Sequence, residues 1–309
     1  MSWDAMLRGA VLSIAANPAV RTFFRKYGMR LGVARFVAAE QLEGTLEAVR
    51  RLNDQGLLVT LDYLGESVAE PKLAEEAADQ AVLVLRKIEE QKLNANVSVK
   101  LTQLGLGIDS KLCESLMTRI LTEAQRTGNF VRIDMEDSSV TQATIDLFRK
   151  LLARYGRKRV GLVLQSYLYR TEEDRKLLGA LGANLRIVKG AYKEPKEVAY
   201  PNKKDVDDNY VRLVEAHLRQ GCYTAVATHD EKIIEKVIAF AQSQGIARDR
   251  FEFQMLYGIA TSLQLRLAQE GYRVRVYTPF GEAWYPYFAR RIAERPANVW
   301  FVAKGLFRS

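Results

Sequence analysis

The chain has 309 residues, 48% of them hydrophobic and 27% charged, enough to bury a large core as one big domain or two small ones. No stretch approaches about 18 uninterrupted apolar residues, which excludes a membrane span, and two cysteines with two histidines exclude a cysteine-rich zinc centre and leave no metal site expected. The net charge of +9, from 46 basic against 37 acidic residues, admits nucleic acid, anionic lipid or acidic substrates as partners.

In chain order, residues 1–40 carry Arg8, Arg21, Arg25, Lys26, Arg30 and Arg35 against Asp4 and Glu40. The run VRTFFRKYGMRLGVARFV is amphipathic, as is a helix lying on an anionic membrane surface or a helix with one solvated face. Nothing at the start reads as a cleavable signal. Past residue 55, short β-branched runs recur: LLVTLDYLG near 57–65, NVSVKLTQLG near 96–105, FVRIDMED near 130–137 and RVGLVLQSY near 159–167. LRIVKGAY near 185–192, YTAVATHD near 223–230, RFEFQMLYG near 250–258 and YRVRVYTPFG near 272–281 follow. Charged, helix-periodic stretches separate them, with Ser110 before KLCESLMTRILTEA and Thr171 with Asp174 three residues later read as helix caps. Eight strand-and-helix units in about 250 residues predict an α/β fold, a (β/α)8 TIM-type barrel with extra N-terminal helices. The expected division is a helical segment over 1–45 and a catalytic barrel over 46–309. Two doubly wound domains are the alternative, but no glycine fingerprint or linker marks a seam, and no HExxH, GxxxxGK[ST] or GxGxxG occurs.

A barrel places its chemistry at the carboxyl ends of its strands. Those ends carry Asp62 and Glu66, Lys100, Asp134, Gln165, Arg186 with Lys189, Thr228 with His229, Leu256 with Tyr257, and Tyr277. The last helix is entered after Pro279 and Gly281 and stopped by Pro296, and its 3.6-residue period sets Tyr287, Arg290, Arg291 and Glu294 along one stripe. Two adjacent arginines are either solvated surface or a clamp, since two planar guanidiniums can both reach one anion. Polar groups at seven of eight strand ends favour the clamp, hung over the same mouth, with Trp284 and Tyr287 on that side excluding water.

The segments VKL around Lys100, RIDMED around Asp134, LRIVKGAY, ATHD, FEFQMLYG and above all YTPFGEAWYPYFARRIAE resemble the proline dehydrogenase family in its short monofunctional bacterial form. The resemblance runs from about residue 35 to the end and is weaker before it. It implies a flavin-dependent barrel that oxidises L-proline to Δ1-pyrroline-5-carboxylate, holds FAD noncovalently and passes electrons to membrane quinone. By the same resemblance, Arg290, Arg291 and Lys100 hold the proline carboxylate, and Tyr277 lies against the pyrrolidine with Asp134 on its hydroxyl and Leu256 nearby. Arg186 faces the reacting edge of the flavin. Met135 through its backbone, Gln165, Lys189, Gly190, Ala191, Thr228 and His229 bind the cofactor, and Glu66 pairs with the first arginine when the site closes. Many relatives have His where this chain has Tyr257, so a hydrogen bond made there by imidazole is absent or replaced by phenol.

A carboxylate gripped on the far side of a small ring fixes the donor carbon against the flavin, which hydride transfer needs. Lys100 and Asp134 are expected to balance each other while the site is empty. His229 is the only histidine near enough to serve as a base, so the deprotonated amine is the expected reactive form, its proton lost to solvent. The resemblance also implies a cytoplasmic enzyme on the inner face of the membrane, with no nucleic-acid partner and a downstream pyrroline-5-carboxylate dehydrogenase. Two other readings stand beside it: a Schiff-base barrel lyase using Lys100 or Lys189, and a noncatalytic module that binds membrane through its basic N-terminus.

Overall fold

In a computed structural model, which describes residues 17–29 and 32–294, each of the eight β-branched runs forms a strand. Among the described residues, helices α1 (Pro18–Tyr27) and α2 (Leu42–Asp54) precede β1 (Leu58–Tyr63). The repeat then runs through α3 (Pro71–Glu90), β2 (Ala95–Lys100), α4 (Ser110–Arg126), β3 (Val131–Asp134), α5 (Ser138–Tyr155) and β4 (Val160–Gln165). It continues with α6 (Thr171–Ala180), β5 (Asn184–Val188), α7 (Lys203–Arg219), β6 (Thr224–Ala227) and α8 (Glu231–Ser243). β7 (Phe251–Leu256), α9 (Thr261–Gln269), β8 (Val274–Phe280) and α10 (Tyr285–Glu294) complete it. Neighbouring strands pair in parallel in sequence order, and β8 returns to β1, from Leu58 opposite Arg275 to Tyr63 opposite Phe280, closing the barrel.

Side chains alternate along a strand, so each strand shows one residue set outward and the other into the barrel. The outward set is apolar: Val59, Leu61, Val97, Ile133, Leu162 and Ile187 are buried beneath the helices. The inward set is largely polar, with Thr60, Asp62, Asn96, Ser98, Arg132 and Asp134 on the first three strands. Parallel strands covered on both faces usually read as continuous apolar runs. Polar residues inside this barrel therefore require partners there, and they have them: Thr60 Oγ1 donates to Asn96 Oδ1 at 2.6 Å, and Arg275 grips Glu252 at 2.8 and 3.1 Å.

Both expected caps are corrected. Asp109 caps α4, its extended backbone letting Oδ1 accept from the Lys111 N–H at 2.9 Å, while Ser110 already lies inside the helix. Thr171 turns its hydroxyl back to the Gln165 carbonyl at 2.5 Å and braces the end of β4, while Asp174 accepts from Arg170. Described apolar residues of the N-terminal run pack on protein. The Phe24 ring lies 6.4 Å from Tyr285 and 5.7 Å from Phe288, in a cluster with Val33, Phe36 and Val37 that seats α1 on α10. The boundary expected at 45/46 falls within α2. Asp4, Arg8, Arg30 and Pro296 lie outside the described residues. Among the described residues, no helix is long and apolar enough to cross a membrane.

Candidate active site

At the carboxyl end of the barrel, inward residues from five strands meet. Asp134 on β3 accepts from Arg186 Nη1 on β5 at 2.6 Å and from the Tyr277 hydroxyl on β8 at 2.7 Å. The Arg186 guanidinium sits 5.2 Å over the Tyr277 ring, a cation–π contact that adds to the shared carboxylate. On β2, Lys100 donates to Asp62 of β1 at 2.7 Å, with Asp62 almost fully buried. The expected balance of Lys100 by Asp134 is thereby corrected. The direct counter-ion of Lys100 is Asp62, since Asp134, opposite Lys100 in register on β3, is already taken by Arg186 and Tyr277.

These pairs fix protonation states. Burial alone lowers the Lys100 ammonium, but Asp62 and then Asp134 outweigh it and hold its pKa above the ordinary value, so Lys100 stays charged. Burial, reinforced by Asp134 and Asp62, raises the Tyr277 hydroxyl well above its ordinary value, so it donates and does not ionise. Tyr192, on the loop after β5, is pushed up to about 12 by burial and Glu136, against the opposing fields of Lys100 and Arg290. Arg290 is the smallest of these influences on the hydroxyl. Among the residues assigned roles by the sequence alone, Tyr192 was missed: it follows Ala191 in LRIVKGAY but looks like an exposed loop aromatic, and it is 40% exposed.

The rim is tied together in steps. Glu136, directly after Met135, accepts from the Thr102 N–H at 3.0 Å and the Thr102 hydroxyl at 2.5 Å, while its carbonyl accepts from Gln165 Nε2 at 2.7 Å. One residue thus links the ends of β2, β3 and β4. Lys189 pairs with Asp207 at 2.5 Å and Asp230 at 3.4 Å. Gly190 has φ +118, and a Cβ there would stand 2.5 Å from the Tyr167 ring, so backbone passes where no side chain fits. Thr228 Oγ1 accepts from the Asp230 N–H at 3.1 Å, and His229 Nε2 accepts from the Leu256 N–H at 2.9 Å, which commits that imidazole lone pair. The Tyr257 N–H donates to the Tyr277 carbonyl at 2.9 Å, and its side chain packs on the barrel core.

On α10, Arg291 lies 5.1 Å over the Tyr287 ring, as one stripe requires, and Arg290 is exposed. Trp284 donates its indole N–H to Glu40 at 2.7 Å and shares with Tyr287 the cluster that seats α1. Glu66 is exposed on the loop after β1 and, among the described residues, forms no ion pair with Arg290. No group of three or more His, Cys, Asp or Glu is placed to hold a metal among the described residues. Two buried donors of Arg186, Nε and Nη2, have no protein partner. Unmet donors on a guanidinium that is 4% exposed, with the side-chain-free backbone of Gly190 on the loop after the same strand, fit an electron-rich aromatic group laid across the mouth.

A closed parallel barrel with a cation-rich mouth and an Arg–Asp–Tyr triad at its strand ends defines a (β/α)8-barrel enzyme. The model of one family, described as proline dehydrogenase, matches residues 45–304. The chain belongs to the proline dehydrogenase family, in its monofunctional bacterial form. It is 46% identical over 308 residues to the proline dehydrogenase of Deinococcus radiodurans, covering 99% of both chains. To proline dehydrogenase 2 of Bacillus subtilis it is 46% identical over 282 residues, 91% of this chain and 92% of that one. The same fold occurs in the proline utilization A protein of Bdellovibrio bacteriovorus inactivated by N-propargylglycine, with a TM-score of 0.83 and 24% identity. That alignment covers 93% of this chain, which spans only 36% of the longer protein.

Proposed function

We propose that this chain oxidises L-proline to Δ1-pyrroline-5-carboxylate with noncovalently held FAD and passes the electrons to membrane quinone. The observation that carries the reading is the Arg186–Asp134–Tyr277 triad, with two buried Arg186 donors unmet, beside the charged Lys100. When bound, FAD supplies the hydride acceptor. Arg290, Arg291 and Lys100 hold the substrate carboxylate, and three cations on one anion fix the ring in place. Tyr277, its hydroxyl tied to Asp134, presents its ring to the pyrrolidine, and Leu256 packs beside it. Arg186 favours the electron-rich reduced cofactor. Met135 through its backbone, Gln165, Lys189, Gly190, Ala191, Thr228 and His229 line the cofactor, and Glu66 meets Arg290 on closure. With His229 Nε2 already engaged, the amine gives its proton to solvent.

The basic N-terminal segment brings the enzyme to the anionic inner face of the membrane, and a pyrroline-5-carboxylate dehydrogenase consumes the product. The Schiff-base reading is disfavoured for Lys100, since an ammonium held charged by Asp62 is no nucleophile. Anaerobic addition of L-proline to the purified protein tests the reading. Bleaching of the visible flavin band with formation of the cyclic imine supports it. A colourless protein, or a flavin that proline leaves oxidised, overturns it.

A further inference from the structure

The inward side chains of the barrel include four cations, Lys100, Arg132, Arg186 and Arg275, and three carboxylates, Asp62, Asp134 and Glu252. Three pairs close: Lys100 with Asp62, Arg186 with Asp134, and Arg275 with Glu252. Arg132 is left over. It is 2% exposed, and its hydrogen bonds go to neutral acceptors: the Leu162 carbonyl at 3.2 Å, the Asn184 carbonyl at 2.7 Å and Asn184 Oδ1 at 2.7 Å. Its guanidinium lies 4.8 Å from the Phe130 ring centroid, in space that exists because residue 161 is glycine; a Cβ there would meet Nη1 at 2.4 Å. Arg132 and Asn184 stand two residues before Asp134 and Arg186 on β3 and β5, so this contact lies one inward layer beneath the triad. The layers touch, since Arg186 Nη1 donates to Ser98 Oγ at 3.4 Å and Ser98 Oγ to the Arg132 carbonyl at 3.4 Å.

A buried charge without an opposite partner is costly, and its field is poorly screened. The structure assigns to Arg132 the part of a tuning charge: without touching substrate or cofactor, it makes the floor of the barrel net positive and favours electrons on the flavin above it. The inference rests on the flavin reading given above. Arg132→Met removes the cation, and Asn184→Asp instead supplies the missing anion at the oxygen already bonded to it. Both variants are expected to shift the oxidised–reduced equilibrium of the bound flavin toward the oxidised form. The size expected is roughly tenfold, as for one unit charge about two barrel layers away, on the order of 13 Å, at an effective dielectric of about 20. Tenfold is about 30 mV for a two-electron couple. Arg132→Lys keeps the potential of the parent, and Asn184→Asp raises the thermal midpoint of the cofactor-free protein, because it pairs a lone charge.

The measurement is equilibration of each flavin-loaded protein with a reference dye during anaerobic reduction. A merely structural Arg132 leaves the potential of Arg132→Met at that of the parent. That result, with flavin still bound, overturns the inference and leaves the proline reading standing. A parent protein that takes up no flavin overturns both.

Discussion

The Lys100–Asp62 pair is where residue-level physics is most exposed. Its carboxylate is nearly dry, so Asp62→Asn strands the ammonium and is expected to cost the ligand-free protein roughly 3 kcal/mol. A bound carboxylate restores the missing partner. Thermal shift with a non-reacting cyclic acid is therefore expected to be larger in Asp62→Asn than in the parent; an equal or smaller shift sinks the assignment of Lys100 to the substrate carboxylate. Tyr277→Phe removes one of two donors to Asp134, and leaving that buried carboxylate short of a partner costs on the order of 1–3 kcal/mol. Turnover is expected to fall with flavin content unchanged, measured by steady-state kinetics beside the absorbance ratio of flavin to protein. Strand-end charges were legible as a set from the sequence. Their pairing was not, because Asp62, Lys100, Asp134 and Arg186 are brought together by barrel closure and register, which no local pattern encodes. The Arg132 layer escaped notice for a related reason: charges alternating with apolar residues on a strand look like a solvated face.

At the scale of elements, the period of strands and helices was readable because the outward strand faces are β-branched or leucine, or on β7 Phe251, Phe253 and Met255, and the helices have an apolar stripe. Caps were less so. Ser110 and Asp109 are both good capping types, and the choice depends on which residue holds the extended backbone, here Asp109 at φ −153. Asp109→Ala is expected to lower stability by about 1 kcal/mol, and Ser110→Ala to stay within about 0.5 kcal/mol of the parent. Urea melts of the two variants decide this, and equal losses contradict the assigned cap. The packing of Trp284 was likewise beyond the sequence: it stands one residue before α10, and the fold brings Glu40 and the α1 cluster to its indole.

For the whole molecule, acid stability follows from two buried groups away from the mouth. His217 has Nε2 3.1 Å from the Ala183 carbonyl, and burial lowers its pKa from an ordinary 6.5 to about 4. A depressed folded pKa means that the stability is complete above pH 6.5 and lost as the pH falls toward 4. Glu252 acts lower: burial opposes its charge, but Arg275 holds its pKa at about 2, so its contribution is present above 4.5 and fades toward 2. Burial raises Glu136, whose contribution has the opposite sense and is lost as the pH climbs through its folded pKa. The thermal midpoint is therefore expected to fall from pH 7 to 5 and more steeply below 4.5. His217→Gln flattens the first slope alone, and a slope unchanged in that variant contradicts the assignment.

The central claim is that one barrel mouth holds the proline carboxylate between Lys100 and the α10 arginines. Its most direct test is a titration of the flavin-loaded parent, Arg290→Met and Arg291→Met with tetrahydrofuroic acid, a cyclic carboxylate that cannot be oxidised by the same route, followed by flavin absorbance. Truncating one partner of a buried charged hydrogen bond costs roughly 2–5 kcal/mol. The account predicts that Arg291→Met binds the acid some tens to thousands of times more weakly, with flavin content near that of the parent. Parent-like binding in both variants would mean that the paired arginines are surface charges, and that the carboxylate is held elsewhere.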